Sequence, residues 1–164
     1  MTNDLLEDRD AWSMENCSIA RTFAIIGTRS AILVIREAFF GARRFDDIAR
    51  RAGIGEPAVA ARLKDLTAAG LMERVPYQDA GQRTRYEYQL TAKGRALLPV
   101  ITALRDWGDA WSADPEGPPV QAVHRGCQAP AHARLVCDDG HDIGPEGLAI
   151  LAGPGLRQSR THAG

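Results

Sequence analysis

The chain has only three cysteines in 164 residues, at 17, 127 and 137. An odd, widely spaced set excludes a complete disulfide framework and leaves metal or redox chemistry as the roles to weigh. No run of eighteen apolar residues occurs, and Met1 to Asp10 carries acids where a signal peptide would carry lysines and an apolar stretch. Membrane spanning and secretion are therefore not expected, and the expected location is cytoplasmic. The sequence has no serine elbow, no glycine-rich phosphate loop and no carboxylate pair spaced for a cleft wall, so no enzyme activity is expected. The length suits one compact domain with a small appendage and is too short for two full enzyme domains. No internal repeat is present.

The formal net charge of −1 hides an asymmetry. Between Arg29 and Arg95 there are thirteen Lys/Arg against eight Asp/Glu, a local excess of five, and the rest of the chain is net −6. Such blocks fit a central part that meets a polyanion, or a surface simply laced with ion pairs.

Residues 17 to 41 read as two helices. Ala20, Phe23, Ala24 and Gly27 recur at helical spacing, and Ile32, Leu33, Val34, Ile35, Phe39 and Phe40 make the second helix apolar nearly all round. From Phe45 to Leu66 the pattern is short helix, tight turn, longer helix. Asp46 and Asp47 suit a first turn, Gly53 a left-handed stop, and Glu56-Pro57 a new start, with Val59, Leu63 and Leu66 on one buried face. After Gly70 the period changes: Leu71 to Pro76 and Thr84 to Leu90 read as strands of a hairpin around Gln78 to Gln82. Thr91 caps a further helix, broken or bent at Pro99, with an apolar stripe of Leu97, Leu98, Ile101, Leu104, Trp107 and Trp111. The organisation expected is an N-terminal arm (1–16), a main domain (17–112), a linker (113–119), a small Gly/Pro-rich C-terminal β module (120–152) and a tail (153–164).

The segment from Phe45 to Leu66 satisfies the steric demands of a helix-turn-helix. Such a motif needs a small residue where its helices press together, a glycine in the turn and an aliphatic residue on the second helix. The chain has Ala49, Gly53 and Val59 at those places. Packed helices without DNA binding can show the same spacing. The hairpin that follows carries Arg83 and Arg85 near its tip, where the wing of a winged helix-turn-helix reaches phosphates or a minor groove.

The run from Cys17 to Trp111, about three-fifths of the chain, resembles the HxlR-type family of bacterial winged helix-turn-helix regulators. The likeness rests on Ile26-Gly27, Ile35-Arg36-Glu37, Arg44-Phe45-Asp46-Asp47-Ile48, Arg62-Leu63-Lys64-Asp65-Leu66, Gly70-Leu71, Glu73-Arg74, Tyr88-Gln89-Leu90-Thr91, Lys93-Gly94, Leu97-Leu98-Pro99 and Trp107-Gly108, in family order and spacing. It implies a mainly α fold with a small β-hairpin (α+β). It also implies a sequence-specific transcriptional regulator, a homodimeric repressor on double-stranded DNA with a near-palindromic operator. Leu97, Ile101, Leu104, Trp107 and Trp111 are then dimer-interface residues, the alternative being packing within the chain against Phe39 and Phe40. The expected DNA contacts are Glu56 and Arg62 for bases and Arg43, Arg44, Lys64, Arg83 and Arg85 for phosphate. Two departures stand out. Where the family commonly has a polar recognition helix, this chain has Gly55-Glu56-Pro57-Ala58 and Ala60-Ala61, which thins direct base reading and shifts weight to operator shape. The family tryptophan at the start of the long early helix is replaced by Ser30. The alanine-rich helix also keeps open a winged-helix protein-interaction module without DNA binding.

Cys17 opens the domain in the manner of relatives whose cysteine at this place is a redox sensor. It is otherwise a small residue at a dimer edge. His124-x2-Cys127 and Cys137-x3-His141 offer two imidazoles and two thiolates, the ligand set of a structural zinc site, with Ala133 to Cys137 as a strand and Asp138-Asp139-Gly140 as a turn returning His141. The alternative is a hairpin with both histidines exposed and His132 a spare imidazole. A thiol- or zinc-based sensor is thus a third functional reading.

Overall fold

The structure is a computed structural model and describes residues 13–78, 81 and 83–157. Its helices are α1 (Ser18–Ile26), α2 (Arg29–Phe39), α3 (Phe45–Ala52), α4 (Glu56–Ala68), α5 (Ala92–Arg95) and α6 (Leu98–Trp111), and its strands are β1 (Met72–Tyr77) and β2 (Arg85–Leu90). The fold is α+β, with one two-stranded antiparallel sheet. The chain divides into two compact units: Thr28–Arg134, and the residues up to Gly27 together with those from Leu135 onward. No single helix among the described residues is long and apolar enough to cross a membrane.

The core of the Thr28–Arg134 unit is aliphatic. Val34 and Ile35 from α2, Ile48 from α3, Val59, Leu63 and Leu66 from α4, and Met72 from β1 are fully buried. At about 1.5–3 kcal/mol for each large side chain removed from water, this cluster is the main source of the unit's stability. The i, i+4, i+7 spacing of Val59, Leu63 and Leu66 turns one stripe of α4 inward and leaves Ala58, Ala60, Ala61 and Lys64 exposed. The Asp46 and Asp47 carboxylates lie in the first turn of α3 and Arg50 and Arg51 in its last, each set matched to the helix dipole. Gly53 then takes a left-handed φ of +63°, which ends α3 and redirects the chain into α4.

After α4 the strands pair Met72 with Leu90 through Tyr77 with Arg85. Of the expected turn, Asp79, Ala80 and Gln82 lie outside the described residues. The chain before α3 joins this hairpin: Tyr88 N–H donates to the Arg43 carbonyl at 2.8 Å, and Arg44 forms an isolated bridge with Glu87.

Thr91 caps α5, its Oγ1 accepting from Gly94 N–H at 3.1 Å and donating to the Gly70 carbonyl at 2.7 Å. Gly94 is buried so tightly that a Cβ there would stand 2.1 Å from the Leu71 carbonyl oxygen. Pro99 falls in the first turn of α6, where no N–H is needed, so it separates α5 from α6. The expectation of one helix broken near Pro99 becomes two helices joined through Ala96 and Leu97.

The segment after α6 does not form the β-module strand expected over Ala133 to Cys137. Among the described residues from 113 onward, β-pairing is limited to the isolated bridges Val123 with Pro130 and Val136 with Asp142, and Pro145–Gly147 forms a 3-10 turn. The alternation in Ala133 to Cys137 has no partner strand, and the Asp138-Asp139 turn lets only Val136 pair; Cys137 N–H donates to the His141 carbonyl at 3.0 Å. In the unit holding the described N-terminal residues, Ser13 N–H donates to the Arg157 carbonyl at 2.9 Å and Asn16 Nδ2 to the Gly155 carbonyl at 3.0 Å.

Candidate nucleic-acid interface

The helix-turn-helix is α3, the Gly53 turn and α4, and its outward face carries the residues expected at DNA. Glu56 and Lys64 are exposed. Arg62 is not simply exposed: it is about 29% accessible and its Nη2 lies 3.0 Å from Asp65 Oδ2, one turn on. A base that Arg62 reads must therefore draw it from an internal carboxylate.

Arg43 and Arg44 enter α3 from the strand-like segment paired to β2, and both meet Glu87. Arg43 Nη1 is 4.0 Å from Glu87 Oε2, and Arg44 Nε is 3.7 Å from Oε1. Arg44 also lies over the Tyr77 ring, 4.5 Å from its centroid. Two guanidiniums thus share the Glu87 carboxylate where the wing meets the helix-turn-helix. Arg83 and Arg85 are exposed on the wing, Arg85 facing Tyr77 across the ladder.

Sequence reasoning missed three of these partners. Glu87 is the shared counter-ion, Arg74 stacks at 4.0 Å on the Tyr86 ring, and Asp47 binds both Arg50 and Arg51. The signal for the first two lay in strand alternation, which sets Arg74 and Tyr86 on one face and Tyr77 and Glu87 on the other, but only once the register is known. The i, i+3 and i, i+4 spacing from Asp47 was legible directly.

On α6, Leu104, Trp107 and Trp111 are exposed while Ile101 is half-buried, as is Leu97 just before the helix. Trp107 retains 64% and Trp111 77% of full accessibility, and no α6 residue is fully buried. Phe40, an expected intrachain partner, is itself exposed. The other face of α6 binds the returning chain: Asp106 Oδ2 accepts from Ala133 N–H at 2.7 Å and Arg105 Nη2 donates to the Ala131 carbonyl at 2.6 Å. His132 Nδ1, spare by sequence, stands 3.6 Å from Asp106 Oδ1. Burial alone would raise the Asp106 carboxyl, but the Ala133 N–H, the Arg105 guanidinium and His132 together outweigh it and hold the group below its ordinary value.

Cys17 N-caps α1 and is half-buried, its Sγ accepting from Ala20 N–H at 3.5 Å. The four residues considered for zinc form two pairs, His124 Nδ1 3.2 Å from Cys127 Sγ and Cys137 Sγ 3.6 Å from His141 Nδ1. Among the described residues no three His, Cys, Asp or Glu side chains gather as a metal site.

A helix-turn-helix braced by a two-stranded wing is the architecture of winged-helix transcription factors. The crystal structure of PA1607, a candidate transcription factor, matches with a TM-score of 0.73 at 33% identity, covering 83% of this chain and 94% of that one. PA1374 from Pseudomonas aeruginosa matches at 0.58 and 35% identity over 85% of this chain and 94% of its own. The redox regulator HypR in its oxidised form matches at 0.53 and 26% identity over 60% of this chain and 99% of its own.

The HxlR-like helix-turn-helix family model matches residues 25–116, and the chain belongs to that family. The uncharacterized HTH-type transcriptional regulator Rv3095 of Mycobacterium tuberculosis is 40% identical over 144 residues, 87% of this chain and 90% of its own. The protein is thus a transcriptional regulator with a helix-turn-helix domain.

Proposed function

We propose that the protein is a cytoplasmic homodimeric repressor that occludes a promoter by binding a near-palindromic operator, with α4 in the major groove and the wing on flanking phosphates. The observation that supports the DNA reading is the exposed face of α4 together with exposed Arg43, Arg44, Arg83 and Arg85 on the same unit. Glu56 and Arg62 read bases, Lys64 and the four arginines hold phosphate, and the alanine methyls touch thymine. The dimer reading rests on Leu104, Trp107 and Trp111, apolar side chains left in water along one helix. The test is a salt titration of binding to the protein's own promoter and to a random duplex. Arg83→Ala and Arg85→Ala should weaken both and lower the salt slope by about one for each phosphate no longer neutralised. Arg62→Ala should weaken the promoter complex more than the random one, and equal losses would remove Arg62 as a base reader.

A thiol-sensing reading is favoured by one observation, the capping position of Cys17 in a chain similar to a redox regulator. It requires that promoter affinity change on treatment with a thiol oxidant and that Cys17→Ser abolish the change.

A further inference from the structure

Within the Thr28–Arg134 unit a cavity of about 530 Å³ opens where the end of α2, the wing strand β2 and the start of α6 meet. Three arginines, Arg43, Arg95 and Arg125, are among its lining residues, and no aspartate or glutamate is among the described ones. Arg43 pairs at 4.0 Å with Glu87, which lies outside the lining. Arg95 uses one donor on the Leu90 carbonyl, at 2.6 Å, which fixes its side chain and leaves the rest of its fork unspent on that bond. Arg125 reaches the cavity from a tight turn, held where Gln128 N–H donates to the His124 carbonyl at 2.8 Å and Val123 bridges Pro130.

The same wall includes the apolar residues Phe39, Leu90 and Leu98. The volume is that of a small-molecule site, for which about 300–1,000 Å³ is usual. Arginine forks match a carboxylate in two parallel hydrogen bonds, and an apolar wall rewards a hydrocarbon body that a DNA phosphate lacks. We infer that this cavity binds a small organic acid, one carboxylate on an apolar body, and that its occupation draws Arg43 away from DNA. The cavity is wired to the interface by backbone: Tyr88, in its wall, donates to the carbonyl of Arg43, and the next residue N-caps α3. The second half of the inference rests on the DNA reading above; the first does not.

The test uses the full chain and saturation-transfer NMR with benzoate, phenylacetate and hexanoate, each beside its neutral amide, and with inorganic phosphate. At least one acid should bind saturably and its amide at least tenfold more weakly. Arg125→Gln should weaken that acid at least tenfold while leaving the melting temperature and ligand-free promoter affinity unchanged. The acid should lower promoter affinity several-fold in the parent chain and not in Arg125→Gln. Acid and amide binding alike, no binding by any of the three acids, or indifference to Arg125→Gln would overturn the site. Phosphate binding as tightly as the acids, with displacement by random DNA, would also overturn it by making the cavity a seat for backbone phosphate. An acid that binds without changing promoter affinity would overturn only the coupling to Arg43. Absence of DNA binding in the ligand-free protein would strike the DNA reading and leave the acid site standing on its own data.

Discussion

The helices α2 to α4 and the helix α6 all carry aliphatic residues, yet they use those residues in opposite ways. Every one of α2, α3 and α4 sends at least one side chain of zero exposure into a shared core, whereas α6 buries none fully and leaves both tryptophans in water. Apolar content therefore says how much surface a helix has to hide, and its neighbours decide whether the hiding is done within the chain. For the trihelical core the stabilisation is unimolecular; for α6 the homodimer proposed above would supply the second surface.

The sharpest way to break this comparison is to cut both sides of it. Leu63→Ala should destabilise the folded chain by about 2–5 kcal/mol in urea denaturation, the range for emptying a packed leucine site. Trp111→Ala should shift the midpoint at high dilution by less than about 1 kcal/mol and instead raise the dimer dissociation constant measured by sedimentation. Equal destabilisation by both, independent of protein concentration, would erase the distinction.

Gly94→Ala tests the tight junction where the wing passes into α5. A methyl placed 2.1 Å from a backbone oxygen cannot be absorbed by a rotamer change, so the variant should lose about 1–3 kcal/mol. A stability equal to the parent's would mean that α5 is free to shift and contributes nothing to holding the wing.

A smaller effect is expected where α6 holds the returning chain. Asp106 has its carboxyl held below the ordinary value of 3.8, so its contribution is complete above that value and is lost as pH falls through the lowered one. Protection of the Ala133 amide against hydrogen exchange should fall over that acid range, while core amides of α4 keep theirs. Asp106→Asn should flatten the profile. Protection that ignores pH would show that the Ala133 hydrogen bond does not depend on the charge of Asp106.

The least effect is predicted at Thr67, whose Oγ1 is buried without a hydrogen-bond partner among the described residues. Thr67→Val removes an unsatisfied group at nearly constant shape, and thermal melting should show a change of less than about 1 kcal/mol, toward greater stability. A clear loss would reveal a partner for the hydroxyl.

What was legible in the sequence divides along the same line as the comparison. The α3-turn-α4 unit could be read because its signals are local: acids and bases at the right ends, a glycine at the one left-handed position, and three aliphatic residues on one stripe. The wing strands were likewise legible, within one residue at their ends. The Arg62–Asp65 pair lies one helical turn apart and its i, i+3 spacing was legible, but Arg62 was expected at a base rather than at Asp65. Glu87 as the counter-ion of Arg43 and Arg44 was out of reach, because residues more than forty apart meet only through a strand register that composition does not specify. The binding of Asp106 to Ala133 was missed for the same reason, and a linker rich in proline and glycine disguised a chain that returns to its own helix. The strand expected over Ala133 to Cys137 failed because alternation marks a strand only when a neighbour exists to pair with it.

The hydrogen bond from Tyr88 to Arg43 and the bridge between Arg44 and Glu87 give the wing a third rail, laid by the residues that lead into α3. A hairpin hinged only at its two ends could swing to suit whatever backbone it met. This one is also tied to the entrance of the helix-turn-helix, so on the DNA reading proposed above α4 and the root of the wing would act together as the jaws of a calliper. On that reading, lengthening the tip would extend its reach without moving the jaw, whereas cutting the rail would widen the range of spacings the calliper accepts.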